Sequence, residues 1–286
     1  MPVRYTRESA RRLTRKDRAH RATRWALIGG LSVVLVGGSV ALVDPLAGVI
    51  GAVATGVVLL LVMLGRDLAI VRAELSEQRA LLAMAPLREG LVYPGNPAAL
   101  CPENALFVLQ QIHLRRPKRV VEFGSGASTV LLARALRQLG DDRRLDSFEH
   151  LASWYERTRD LLRSTGLQEV VRLHYSPLEK REGLDVPWYD VSVLAKDEAP
   201  CDLVLVDGPE GGSRDPLARI GGFLTVRDRL APEAVVLLDD GLRRGEREIV
   251  RRWREAEPGL RSSLHRSDTG MWMLELCPGG DRRTDE

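Results

Sequence analysis

The sequence predicts an α/β protein: a mostly parallel seven-stranded sheet with helices on both faces and a C-terminal antiparallel hairpin, preceded by two membrane-crossing helices. Three observations lead there. From about residue 100 onward, short apolar runs alternate with helix-like segments. Runs such as Leu203-Val204-Leu205-Val206 are continuously apolar, which suits parallel strands covered on both faces. Ahead of them stand two uncharged stretches, 25–43 and 46–65, each near the ~20 residues needed to cross a bilayer.

Charge divides the chain unevenly. Residues 1–24 hold nine Arg/Lys and two Asp/Glu, a net of +7, so the other 262 residues sum to −4 within the overall +3. The basic character belongs to the tail, and the folded part gives no reason to expect nucleic acid as a partner. Asp44-Pro45 between the two apolar stretches suits a tight turn, because Asp caps a helix and Pro starts one. Gly37, Gly38 and Gly51 would let two helices approach closely. Arg15, Lys16, Arg18, Arg21 and Arg24 precede the first stretch, and Arg66 and Arg72 follow the second. Positive flanks stay cytoplasmic, so both ends of the hairpin are expected on the cytoplasmic side of the cell membrane, with Asp44 on the other side.

Residues 66–85 read as a helix with Leu68, Val71, Leu75 and Leu82 on one stripe and Gln78 in its gap. It is expected to be a stalk that packs on the domain or the membrane surface, with a short dimer seam as the alternative. Pro86 ends it. The expected organisation is a basic cytoplasmic tail (1–24), a transmembrane hairpin (25–65), a helical stalk (66–87), a folded domain (88–278) and a disordered tail (279–286).

Within the domain, strands are expected at 119–123, 144–149, 170–175, 202–207 and 235–239, and helices at 103–114, 128–139, 151–165, 216–230 and 244–256. The segments 260–265 and 271–276 leave no room for a helix between them and should form an antiparallel hairpin at the sheet edge. The stretch 176–200, with Trp188 and Tyr189, shows no period, and so long a loop past a strand end is more often functional than not. Cys101, Cys201 and Cys277 are widely spaced, without CxxC or a histidine at ligand spacing, and read as small buried residues.

The chemistry gathers at strand ends. Glu122-Phe123-Gly124-Ser125-Gly126-Ala127-Ser128-Thr129 turns from a strand into a helix. Gly124 and Gly126 permit a tight bend and a close ligand approach. The Walker A Gly-Lys-Ser/Thr is missing, and Thr129 stands where GxGxxG would close, which disfavours a dinucleotide. Glu149 ends the second strand, where a carboxylate can accept two hydrogen bonds from vicinal ribose hydroxyls, and His150 beside it is placed to flank an adenine. Asp207 ends Leu203-Val204-Leu205-Val206, and Asp239-Asp240 end Val235-Val236-Leu237-Leu238. Three crowded carboxylates call for an opposing charge. Mg²⁺ on oxygen ligands, contact with a cationic cofactor, and helix capping by Asp240 all stay open.

These motifs resemble those of the class I S-adenosylmethionine-dependent methyltransferases, within them a group with Glu-x-Gly-Ser-Gly-x-Ser-Thr, Val-Asp-Gly-Pro and a double-Asp strand end. The resemblance covers residues 89–276 and implies a Rossmann-like fold. It implies that Glu122, Gly124, Ser125, Gly126, Ser128 and Thr129 hold the methionine end of the cofactor. Glu149 and His150 would hold the ribose and adenine, and Asp207 would line the methyl donor. Asp207, Asp239 and Asp240 become the catalytic candidates, and with Mg²⁺ the metal ligands. Metal-dependent members often carry Asp-Asn where Asp239-Asp240 stand, and a lysine between the two acid positions. Here Lys196 precedes Asp207 and no Lys lies between Asp207 and Asp239.

The resulting expectation is a membrane-anchored methyltransferase acting on a hydroxyl of a small or lipid-linked acceptor, with Tyr175, Trp188, Tyr189 and Arg214 as candidates to close the acceptor site. A nicotinamide-dependent reductase is the enzyme alternative, though Tyr-x-x-x-Lys is absent. A membrane-bound scaffold or sensor that keeps the cofactor fold without turnover is the non-enzyme alternative.

Overall fold

The computed structural model describes residues 45–91, 93, 99–194, 199–211 and 215–276. The basic tail, the first apolar stretch, Lys196, Arg214, Cys277 and the C-terminal tail lie outside them. Two compact units are distinguished, one reaching Arg79 and one starting at Ala80.

The first unit's described part belongs to a single helix, α1 (Pro45–Ala83). It is the one described helix long and apolar enough to cross a membrane. Leu46, Val49, Ile50 and Val53 are exposed along it. The apolar stretch and the stalk, expected as separate pieces, are one uninterrupted helix. Neither Gly65 nor the charged residues after it break the backbone, because one glycine costs only ~1 kcal/mol and Arg, Glu, Leu and Ala favour the helix. A short 3-10 turn, Ala85–Leu87, follows with Pro86 inside it.

In the second unit the order is α2 (Pro102–Arg115), β1 (Arg119–Phe123), α3 (Ala127–Leu139), β2 (Arg144–Glu149), α4 (Ala152–Thr165), β3 (Val171–Tyr175), β4 (Cys201–Val206), the single-turn α5 (Gly221–Leu224), β5 (Leu230–Asp239), α6 (Arg244–Ala256), β6 (Leu260–His265) and β7 (Met271–Leu276). The seven strands form one sheet in the order β3-β2-β1-β4-β5-β7-β6. The pairs from β3 to β5 are parallel. Strand β7 pairs antiparallel with β5, and β6 closes the edge against it. The chain reverses its direction across the sheet between β3 and β4, and the cleft that this opens lies at the carboxyl ends of β1, β2 and β4.

The apolar strand runs divide by their two-residue period. Leu203, Leu205, Val235 and Leu237 face one core with α2, α3 and α4. Val204, Val206, Val236 and Leu238 face the other, with Trp188, Phe223 and Trp253. Both tryptophans are wholly buried, and each satisfies its indole N–H: Trp188 donates to Thr225 Oγ1 at 3.1 Å and Trp253 to the Ile220 carbonyl at 2.7 Å.

The helix expected at 216–230 is not formed. Only Gly221–Leu224 is helical, followed by a 3-10 turn at Arg227–Arg229. The Gly221-Gly222 pair weakens the helix and serves packing instead. A Cβ on Gly221 would lie 2.3 Å from Trp188 Cδ2, and one on Gly222 would lie 2.6 Å from Val206 Cγ2. This segment is pressed flat against the sheet and the loop before β4. That loop also differs from its expected role. Trp188, Tyr189 and Leu194 form core beneath the sheet, and Glu179 and Trp188 bridge as an isolated pair.

Candidate active site

The turn after β1 is shaped by two glycines with different tasks. Gly124 adopts φ +93°, a region disfavoured for other residues, and a Cβ there would meet the Gly208 backbone nitrogen at 2.8 Å. The turns after β1 and β4 therefore touch backbone to backbone. Gly208 N–H and Asp207 N–H both donate to the Phe123 carbonyl, at 2.6 and 3.0 Å. Gly126 has extended backbone, and a Cβ on it would meet nothing within 4 Å. It leaves an open wall at the start of α3.

Glu122 lies below this turn, wholly buried. Its carboxylate accepts from Ser128 Oγ, Thr129 Oγ1 and Ser147 Oγ, each at 2.7 Å. Thr129 Oγ1 in turn accepts the Gly126 N–H at 2.9 Å. Burial pushes the Glu122 carboxyl up to about 7, against the opposing pull of the three hydroxyls. Glu122 and Thr129 lie behind the cleft wall rather than in it. They hold the turn in shape.

Glu149 is 3% exposed and lines the cleft. Its Oε2 accepts the Ser125 N–H at 3.0 Å and lies 3.1 Å from Ser125 Oγ. Its Oε1 accepts the Leu151 N–H at 2.8 Å and lies 3.3 Å from His150 Nδ1. Burial opposes the charge, yet the bonds from His150, Leu151 and Ser125 outweigh it and hold the carboxyl below its ordinary range. His150 also lines the cleft, its Nδ1 3.3 Å from the Tyr189 hydroxyl.

Gly124, Ser125, Gly126, Ser128, Glu149, His150 and Asp207 share one cleft of about 640 Å³, open mouth included. Sequence reading missed its other wall: Tyr93, Leu100, Leu151, Trp154 and Glu210. Tyr93 donates from its hydroxyl to the Leu100 carbonyl at 2.6 Å, and burial, with the Asp207 charge nearby, pushes its pKa up. Leu151 and Glu210 follow the strand ends in the chain, whereas Tyr93 and Leu100 carry no local motif and reach the strand ends only through tertiary contact. Of the four acceptor-side candidates, Trp188 is core, Tyr189 is buried beneath Gly208, Tyr175 is exposed beside Tyr155, and Arg214 lies outside the described residues.

The three aspartates do converge. One oxygen from each of Asp207, Asp239 and Asp240 lies within 4.8 Å of the others. Unit charges ~4 Å apart interact by about 4 kcal/mol at an effective dielectric near 20, so such a group needs a counter-charge. Arg219, 2% exposed, supplies one: Nη1 is 3.1 Å from Asp240 Oδ2 and Nη2 is 3.6 Å from Asp207 Oδ1. Burial alone would lower its pKa, but Asp240, Asp207 and Glu246 outweigh that and keep it charged. Arg243 Nη2 adds a contact at 3.0 Å to the same Asp240 oxygen. Asp239 Oδ1 accepts from Asn104 Nδ2 at 2.6 Å. Asp240 does not cap α6, whose N-cap is Arg243 without a side-chain bond. Its carboxylate is spent on the arginines, and it takes the left-handed φ of +60° that Asp tolerates better than most residues. Asp239 and Asp240 are buried away from the cleft wall, which only Asp207 of the three reaches.

Neither of the two described thiols lines the cleft. Burial, with Asp239 nearby, pushes Cys101 up to about 12, and burial pushes Cys201 up to about 11, so both stay protonated and unreactive.

Comparison with known proteins agrees with this layout. A family model described as a methyltransferase domain matches residues 121–241, a span that runs from β1 to just past Asp240. No curated protein matches the chain. Among solved structures, the SAH-bound methyltransferase PaMTH1 of Podospora anserina is similar at a TM-score of 0.55 and 15% identity, over 74% of this chain and 96% of that one. The O-methyltransferase TomG of Streptomyces achromogenes, in complex with SAM, gives 0.48 and 23% identity over 70% of this chain and 90% of that one. An O-methyltransferase of Bacillus cereus in complex with SAH gives 0.48 and 17% over 69% and 90%. The likeness to PaMTH1 shows the fold, a Rossmann-like seven-stranded mixed sheet with helices.

Proposed function

We propose that this chain is a membrane-anchored S-adenosylmethionine-dependent methyltransferase that acts on a hydroxyl of a small or membrane-associated acceptor. The observation that carries the reading is the single cleft in which the glycine turn, Glu149, His150 and Asp207 meet.

The residues fit that cofactor. The cleft wall at Gly126 is open where any side chain would intrude. Glu149 already holds hydroxyl-like donors, the Ser125 Oγ and the His150 ring, on both carboxylate oxygens. A ribose diol would take over those two positions, while the backbone N–H groups of Ser125 and Leu151 keep the carboxylate aimed. Ser125 Oγ has an alternative partner in Thr158 Oγ1 at 3.0 Å. When bound, S-adenosylmethionine supplies a methyl group on a positively charged sulfur, open to direct displacement.

The protein's own contribution is alignment, which is worth several kcal/mol when the reacting groups are held in place. Glu122 with its three hydroxyls fixes the turn. Leu151, Trp154, Leu100 and Tyr93 exclude water from one side. Asp207, at the cleft floor, is the group placed to accept the acceptor's proton. The acid cluster behind it holds its charge in place through Arg219.

The membrane anchor rests on α1 and on the basic flanks of the two apolar stretches, which favour a cytoplasmic domain. An acceptor held at the bilayer is the proximity argument. Leu68, Val71, Leu75 and Leu82 lie exposed along α1 and suit a second copy or the membrane surface. An open cleft beside Asp207 favours turnover over a scaffold without an acceptor side.

The test is calorimetric titration of the full chain in detergent micelles with S-adenosylhomocysteine and, separately, NADH. Binding of the first alone supports the reading. Binding of NADH alone, or of neither by a folded protein, overturns it.

A further inference from the structure

The acidic cluster behind the cleft has the make-up of a divalent-cation site: three carboxylates with oxygens within 4.8 Å of one another. Its surroundings do not fit one. We infer that Arg219 is a built-in counter-ion that occupies this cluster in place of a metal, and that it positions Asp207 at the cleft; the positioning part rests on the function proposed above.

Three observations support this. The first is that each carboxylate of the cluster already faces a protein cation or amide donor. Arg219 reaches Asp240 Oδ2 at 3.1 Å and Asp207 Oδ1 at 3.6 Å, and Asn104 donates to Asp239 Oδ1 at 2.6 Å. The second is that the guanidinium is locked in orientation. Its Nε donates to the Pro209 carbonyl at 3.0 Å and its Nη1 to the Asp239 carbonyl at 3.2 Å, so the fork spans the ends of β4 and β5. Glu246 Oε1 stands 3.8 Å from Nη1 on a further side. The third is that the backbone carrying Arg219 is pinned. Gly221 and Gly222 follow after Ile220, and both are packed too closely against Trp188 and Val206 to accept even a methyl group. Arg219 is therefore held in the cluster by its neighbours as well as by charge.

Mg²⁺ would need near-octahedral oxygens at ~2.0–2.1 Å. Placed on these carboxylates, it would face a buried guanidinium of like charge that has nowhere to go. Removing Arg219, conversely, would leave its buried carboxylates without their main partner.

The test uses the full chain in detergent micelles, titrated with Mn²⁺ while free Mn²⁺ is followed by electron paramagnetic resonance. No Mn²⁺ taken up up to millimolar concentration supports the inference. One Mn²⁺ per chain, lost in Asp239→Asn, overturns it. S-adenosylhomocysteine affinity should differ by less than about twofold between EDTA and added Mg²⁺. A protein that binds neither Mn²⁺ nor S-adenosylhomocysteine keeps the counter-ion and loses the methyltransferase reading. As a second measurement, Arg219→Gln should lower the thermal midpoint by about 5 °C or more, or prevent folding. An unchanged midpoint would show that the cluster does not depend on Arg219 and would overturn the inference.

Discussion

Ser125 donates its backbone N–H to Glu149 Oε2 at 3.0 Å, which joins the turn after β1 to the end of β2 across the mouth of the cleft. The carboxylate that would read a ribose is thus aimed by the same turn that would face the rest of the cofactor.

Glu149→Ala removes both the aimed carboxylate and the partner of the Ser125 and Leu151 N–H groups. A hydrogen bond to a charged group contributes about 1.5–3 kcal/mol, so S-adenosylhomocysteine binding should weaken at least about tenfold. Calorimetry checks this, with Glu149→Gln as the variant that keeps the shape. Equal affinity in wild type and both variants would remove Glu149 from the site.

Glu122 links stability to pH. Its folded value, about 7, lies above the ordinary 4.5. Between those values the folded state keeps a proton that the unfolded state has released, so stability falls as pH rises through this window. Above it the full cost, about 3 kcal/mol, remains. Glu122→Gln has no such proton to lose. Its thermal midpoint should drop less than the wild-type midpoint between about pH 5 and about pH 8. Parallel pH slopes for the two proteins would refute this account of Glu122.

Gly124 and Gly126 should respond oppositely to the same small change. Gly124→Ala combines a positive φ with a 2.8 Å approach to the Gly208 backbone, and should cost about 2–4 kcal/mol. Gly126→Ala meets no protein atom and should keep the thermal midpoint while weakening S-adenosylhomocysteine binding. If Gly126→Ala binds as the wild type does, the cleft does not hold its ligand against that wall.

The full chain should remain in the membrane pellet after high salt and alkaline carbonate, because α1 offers an uncharged stretch of spanning length. Release by salt alone would mean that the attachment is electrostatic and that α1 does not span.

Local signals were legible in the sequence. The bounds of β1, β2, β6 and β7 follow from short apolar segments flanked by turn or charged residues, and the glycine turn and Glu149 follow from strand–turn–helix order. The helix at 216–230 was misread because a window of helix formers hides what Gly221-Gly222 must do, which is to let Trp188 and Val206 approach. That Trp188 and Tyr189 are buried in the core is not legible locally, because a loop without period gives no sign of which side chains fold under the sheet.

The sequence by itself determined the α/β pattern, the apolar N-terminal stretch and the acids at the strand ends, because each depends on periodicity or on neighbours in the chain. The tertiary structure alone decided which acids reach the cleft and what neutralises the rest. Asp207 lines the wall, while Asp239 and Asp240 turn inward to Asn104 and Arg219, partners 135 and 21 residues away. Nothing local marks Arg219 among so many arginines. Its role comes from burial, where a charge persists only beside opposite charges brought there by the fold.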